Sequence, residues 1–315
     1  MGQYLSLTHN LNDMKAQIKS FPQLVNHFQD ESTCVEFLEQ QRWGGTPVCP
    51  HCQAIVIYRT NRGYKCKECL KKFSIKTGTI FENSNIKLST WFAAIYLASA
   101  HKKGISSLQL HRDLNVTQKT AWFMLHRIRE MMRKKSPSIL TGTIQADETF
   151  VGGKNKNRHV SKKVKESQGR STKDKTPVFG LRNEGKVNTE VVANTKGKTL
   201  MPIIASMIER DATVVTDEWG AYNGLNKDYQ HEVIKHKDGE YVRNGFHTNG
   251  IENFWSLLKR GIYGIYHSTS RKHLQRYCDE FSYRYNSREI KDAERFDVSL
   301  SQVEGGLSYK QLIKK

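Results

Sequence analysis

The sequence predicts an α/β domain preceded by a four-cysteine knuckle module and a small helical block, and three observations support that prediction. Two Cys-x-x-Cys pairs, Cys49 with Cys52 and Cys66 with Cys69, stand 13 residues apart. Across residues 89–135, apolar side chains recur at helical spacing. From Gly142 onward, short apolar runs alternate with helical stretches. A chain of 315 residues has room for one substantial core and one or two smaller modules. The expected division is 1–82, 83–138 and 139–290, with 291–315 as a C-terminal tail.

Residues 1–42 read as short amphipathic helices, the last over 32–42 with Val35, Phe37 and Leu38 as its stripe and Gly44 and Gly45 as its stop. The knuckles follow. Each Cys-x-x-Cys pair can turn two thiolates toward one tetrahedral ion, and the interval between pairs fits a short hairpin carrying Tyr58 and Tyr64. Four thiolates close the coordination shell, so Cys49, Cys52, Cys66 and Cys69 are expected to hold a structural Zn2+. A redox dithiol is the alternative, opposed by the second pair and by the lack of a thioredoxin-like pattern. His51 lies between ligands and could compete for the ion. Cys34 and Cys278 fall within apolar helical patterns and read as buried thiols.

In the helical block, Trp91, Phe92, Ile95, Tyr96 and Ala98 face one way on a helix ended by a basic turn, with Gly104 as C-cap. A short helix over 107–114 breaks at Asn115. Thr117 then caps a helix on which Ala121, Leu125, Ile128 and Met132 recur. Gln118 and Lys119 occupy its first turn, where the second helix of a helix-turn-helix presents side chains to base edges. Three ordinary packing helices account for the same pattern.

The α/β region opens with a strand over 143–146 that ends at Asp147. The stretch 154–176 holds nine Lys or Arg against two acids and almost nothing apolar, and so reads as a loop. Strands over 178–182 and 190–194 suggest an antiparallel pair. A helix over 200–209 leads to a strand over 212–216 that ends at Asp217, and helices over 251–260 and 272–285 complete the region. No internal repeat is evident.

Fifty Lys and Arg against 31 Asp and Glu leave a net charge of +19 spread along the chain. A polyanion, most commonly nucleic acid, is the natural partner of such a surface. Lys162 and Lys163 in the basic loop are expected to touch phosphates, giving affinity that falls with salt. Neither a signal peptide nor an apolar run of membrane-spanning length is present, so an intracellular, cytoplasmic protein without a membrane partner is expected.

Asp147 and Asp217 each follow an apolar strand, and Glu252 opens an apolar helix 35 positions after Asp217. Carboxylates so placed make a hard, oxygen-lined site suited to two Mg2+ or Mn2+ ions, which could serve an in-line displacement at phosphorus. Taken singly, each acid reads equally as a solvated loop residue or a cap.

Here the chain resembles insertion-sequence transposases of the DDE type, in the ISXO-like branch with an N-terminal zinc ribbon. Resemblance begins at Cys34-x-x-Phe37-Leu38, Arg42-Trp43-Gly44-Gly45 and Cys49-Pro50-His51-Cys52. It continues at Phe73-Ser74-x-x-Thr77-Gly78-Thr79, at 146–153 and at Thr216-Asp217-Glu218-Trp219-x-x-Tyr222. The most specific stretch runs His247-Thr248-Asn249-x-Ile251-Glu252-x-Phe254-Trp255-Ser256-x-x-Lys259-Arg260, extended by Arg284-Tyr285-Asn286-x-Arg288. The resemblance implies an RNase-H-like catalytic fold, a mixed sheet flanked by helices. It also implies cleavage at transposon ends followed by attack of the freed 3'-hydroxyl on target DNA, in a dimer or larger synaptic assembly. It makes Asp147 and Asp217 metal ligands and leaves the third place to Glu252 or Asn249, since both residue types occur there in this branch. Lys259, with Arg260 beside it, corresponds to a basic position that contacts terminal phosphates. A DNA-binding regulator with a degenerate catalytic domain, and an RNase-H-like nuclease or resolvase, are the alternatives.

Overall fold

The structure, a computed structural model, describes residues 18–61, 63–133, 139–152, 158–167 and 171–314. It comprises two compact units, residues 1–132 with 289–315, and residues 133–288. The helices expected before residue 18, and loop positions 153–157 and 168–170, lie outside the described residues. No described helix is long and apolar enough to cross a membrane.

The first unit opens with helices α1 (Phe21–His27) and α2 (Glu31–Trp43). α2 stops at Gly44, whose φ of 59° is the left-handed C-cap conformation that glycine adopts without a Cβ clash. Strands β1 (Ile57–Thr60), β2 (Gly63–Cys66) and β3 (Lys72–Phe73) form an antiparallel meander. Its inner side packs Tyr64 on Phe73 at 5.2 Å and against Trp43 of α2 at 5.4 Å.

Helix α3 (Leu88–Ala100) runs through the middle of this unit. Its C-cap is His101 in extended backbone, not Gly104. The Gly104 N–H bonds His101 O and so closes a separate turn beyond the helix. Helices α4 (Ser107–Leu114) and α5 (Gln118–Met132) meet at Asn115 in the left-handed conformation, and Thr117 Oγ1 accepts the Thr120 N–H at 3.2 Å.

Residues 291–315 form helices Asp292–Ser301 and Tyr309–Ile313 within this unit, where a tail was expected. Phe296 is the reason. It joins Phe28, Phe37 and Phe92 in an aromatic cluster with centroid separations of 4.9–6.1 Å, and burial of so large a ring helps to seat the helix in this core.

The second unit is built on a five-stranded mixed sheet. Strands β4 (Thr143–Val151), β5 (Thr176–Asn183), β6 (Lys186–Val191), β7 (Thr213–Asp217) and β8 (Gln230–Ile234) lie in the order β6-β5-β4-β7-β8. The first three are successively antiparallel, and β7 and β8 run parallel to β4. This is the RNase-H-like arrangement. Helix α6 (Gly197–Met207) covers one face with Leu200 and Ile204 against Ile144, Ala146, Phe179, Leu181 and Val214. Helices α7 (Asn249–Gly261) and α8 (Leu274–Asn286) cover the other, against Val151, Val178 and Val187. Polar side chains of α8 also close the free edge of β6. Asn286 bonds both the N–H and the C=O of Val187, and Gln275 bonds the Val191 N–H and the Thr189 C=O.

The β6 strand begins at Lys186, four residues earlier than the expected 190–194, because its turn is only two residues long. Asp147 lies in the middle of β4, not at its end. The hairpin partner β5 continues the ladder as far as Val151, and only the β7 side of β4 stops pairing earlier.

Candidate functional site

The parallel ladder of β4 and β7 pairs Gln145 with Val215. Asp147 and Asp217 each lie two residues beyond that last pair, on strands that have stopped pairing with each other there. Both share the parity of their ladder partners, so both side chains leave the same face. That face lies under α7, because Gln145 Oε1 accepts the Ile251 N–H at 2.9 Å. Asp147 Oδ2 accepts from Trp255 Nε1 at 2.9 Å, and its Oδ1 from the Glu148 N–H at 2.7 Å. Asp217 Oδ1 accepts the Trp219 N–H at 3.0 Å.

Helix α7 is fixed by its apolar stripe. Ile251, Phe254, Trp255 and Leu258 are buried, each worth roughly 1.5–3 kcal/mol of transfer free energy. Glu252 faces outward from the first turn, with 47% of its side chain exposed. Its Oε1 accepts from Thr248 Oγ1 at 2.7 Å and lies 3.3 Å from His236 Nε2, which is itself 3.0 Å from Thr248 Oγ1. An exposed pair of this kind contributes about 0–1 kcal/mol. The helix position is therefore held far more strongly than the Glu252 side chain.

Asn249 is the first residue of α7 and exposed, and Thr248 takes the N-cap position before it. Among the described residues, Asp147, Asp217 and Glu252 do not form a group whose ligand atoms all lie within 4.8 Å of one another. The two aspartates offer carboxylate oxygens from one face of the sheet, the hard donor type that divalent cations take.

Lys259 is half-buried two turns after Glu252. Burial lowers its ammonium below the usual lysine value; the Asp147 carboxylate opposes that shift and Lys175 adds to it. Lys259 thus feels the Asp147 charge as well as its own burial. Arg260 is exposed and folds back on Ser256. Glu218 is held below the usual carboxylate range: burial opposes the shift, and the backbone N–H groups of Glu218 and His236 and the Lys237 charge outweigh it.

In the first unit, Cys49, Cys52, Cys66 and Cys69 converge, with their sulfurs all within 4.8 Å of one another. Cys49 to Cys69 is 3.7 Å and Cys52 to Cys66 is 3.5 Å. A tetrahedron of sulfurs around Zn2+ at 2.3 Å has edges of about 3.8 Å, so the thiols fit that ion. Cys34 and Cys278 are buried, and burial pushes the Cys34 thiol up to about 12. Gln118 and Lys119 are exposed on the first turn of α5. Gln118 Nε2 donates to Ser107 Oγ at 3.0 Å, and the Lys119 ammonium sits 4.9 Å from the Tyr309 ring centroid. Lys162 and Lys163 are exposed on the loop.

Sequence reasoning assigned no role to Trp255, Gly180 or His236. Gly180 pairs directly with Asp147 across the β4–β5 ladder, and a Cβ there would lie 2.5 Å from the Trp255 indole. A lone glycine inside an apolar strand signals such a close approach. His236 carries no comparable signal, since it follows β8 in a polar segment.

Residues 139–286 match the ISXO2-like transposase domain, and residues 29–72 match the transposase zinc-ribbon domain. An uncharacterised protein in the transposable element ISH50 of Halobacterium salinarum is 30% identical over 276 residues, covering 82% of this chain and 92% of that protein. An uncharacterised transposase-like protein of Haemophilus influenzae is 35% identical over 123 residues, covering 39% of this chain and 97% of that protein. Among solved structures, a pre-cleavage Mos1 transpososome is 14% identical, covers 64% of this chain and 75% of that chain, and superposes at a TM-score of 0.24, too loosely to bear on function.

Proposed function

The chain belongs to the ISXO2-like transposase family, and from that premise we propose that it cleaves DNA at insertion-sequence ends and joins the freed 3'-hydroxyl to target DNA. The observation that best supports this reading is the shared face of Asp147 and Asp217, each two residues past the last β4–β7 pair, beneath the helix that bears Glu252. Asp147, Asp217 and Glu252 are the proposed ligands for Mg2+ or Mn2+, with Asn249 the alternative for the third place. Bound divalent ions would supply activation of the attacking oxygen and stabilisation of the leaving one.

The chain's own groups do the rest. Asp147 and Asp217 present hard oxygens from a rigid sheet, so little ordering is left to be done when substrate arrives. Lys259, drawn to Asp147, offers its ammonium to a phosphate of the transferred strand. Arg260, Lys162 and Lys163 add exposed cations for the flanking backbone, and Gln118 and Lys119 are the proposed readers of the terminal repeat. Four thiolates and Zn2+ hold the ribbon together. Two ends have to be joined, so the working assembly is a dimer or larger.

The test is cleavage and joining of labelled terminal-repeat duplexes, with and without Mg2+. Asp147→Ala and Asp217→Ala should each lower joining on the order of 1,000-fold or more while end binding persists. Joining at wild-type rate in either variant removes the proposal. Binding by the wild-type chain without any cutting identifies a regulator, and cutting without joining identifies a nuclease.

A further inference from the structure

We propose that Trp255 is a positioning residue for Asp147, and that Gly180 is glycine so that the indole can reach it. This rests on the reading of Asp147 as a metal ligand. Three independent facts meet at one point. Trp255 Nε1 donates to Asp147 Oδ2 at 2.9 Å. Gly180 lies directly across the ladder from Asp147, and a Cβ on it would stand 2.5 and 2.6 Å from the indole carbons Cζ2 and Cη2. Trp255 is 4% exposed and lies in the buried stripe that seats α7 on the sheet.

The chemistry follows from the carboxylate. An ionised aspartate has about four lone-pair sites. The Glu148 N–H bonds Oδ1 and the indole N–H bonds Oδ2, so both oxygens are held and the plane of the carboxylate is fixed. An indole N–H only donates, so this contact can hold the carboxylate but never competes with it for a cation. Hydrogen bonds of this outer kind orient metal ligands, and their loss typically weakens metal affinity by about 10–100-fold. A phenylalanine at 255 would fill most of the space and hold nothing.

The arrangement also ties helix placement to site geometry. Trp255 lies in the buried stripe that seats α7 on the sheet and bonds Asp147 directly, so a shift of the indole off Gly180 moves the carboxylate with it.

The experiment uses the full-length chain loaded with zinc and titrated with Mn2+ alone, the free ion being followed by electron paramagnetic resonance. Trp255→Phe should weaken the carboxylate-site Mn2+ affinity at least about tenfold, and the loss in joining should fall on kcat rather than on KM for the DNA end. Gly180→Ala should reproduce the loss while keeping the indole N–H, because its methyl displaces the ring. Should Trp255→Phe fail to fold, the wild-type indole N–H resonance decides: it should move on addition of Mg2+ and be insensitive to Mg2+ in Asp147→Ala. Wild-type Mn2+ affinity in both Trp255→Phe and Gly180→Ala, or an indole resonance indifferent to Mg2+, overturns the inference. If Asp147→Ala binds Mn2+ as wild type does, it is instead the assignment of the ion site that fails.

Discussion

The four cysteines and the three acids Asp147, Asp217 and Glu252 are placed in opposite ways. Four thiols arise from two knuckles of four residues each, joined by the short β1–β2 hairpin, and they converge within 4.8 Å. The carboxylates arise from a central strand, its parallel neighbour and a helix on top. Two are placed on one face of the sheet by strand register, and the third is left beside His236 and Thr248. A closed soft-donor site is shaped by local turns, whereas a hard-donor site that must admit substrate depends on how separate elements pack. The difference teaches that the first site is part of the fold and the second is only positioned by it.

Removing zinc gives the largest expected effect. Stripping it with a strong chelator, or replacing Cys66 by Ser, should unfold the ribbon, because binding energies of about 10–16 kcal/mol serve as folding energy in modules of this size. Zinc release measured by a colorimetric chelator alongside amide resonances of β1 and β2 checks this. A ribbon that keeps its resonances without zinc breaks the contrast between the two sites.

The next effect sharpens the carboxylate side. Glu252→Gln should lower joining roughly 100-fold, about 2.7 kcal/mol, while Asn249→Ala should change it less than about tenfold. Rates of strand transfer measured side by side assign the third ligand, and the reverse order gives that place to Asn249. The reason to expect Glu252 is its charge, because an ionised carboxylate binds Mg2+ more strongly than a neutral amide.

The smallest effect is thermal. At tenfold excess over its Kd, Mg2+ should stabilise the protein by about 1.4 kcal/mol, a rise in Tm of a few degrees. Removing Mg2+ with a weak chelator that spares zinc should stop joining reversibly and leave the ribbon folded. A melting curve that collapses on Mg2+ removal would make the carboxylate site structural too and erase the distinction.

Much of this was legible in the chain itself. The Cys-x-x-Cys spacing located the metal ribbon, and helices α2, α3 and α5 came within a few residues of their expected limits, because caps and apolar periodicity are carried by consecutive residues. The C-terminal helices were missed, since Phe296, Leu300 and Leu312 carry their meaning only against a core assembled some 200 residues earlier. His236 was missed for the same reason: nothing near it in sequence announces that Glu252 and Thr248 will stand beside it.

By itself, the sequence determined which donors exist and on what kind of element each sits: four thiols on knuckles, two aspartates after apolar strand residues, and a glutamate opening an amphipathic helix. Only the tertiary structure decided that Asp147 sits in mid-strand, on the same sheet face as Asp217 from 70 residues away, that Gly180 clears the ground for Trp255, and that Glu252 leans toward His236. The physical reason is register. Local periodicity fixes which face a residue belongs to, but the alignment of one strand against another is chosen by the simultaneous burial of both sheet faces, which no single stretch of chain encodes.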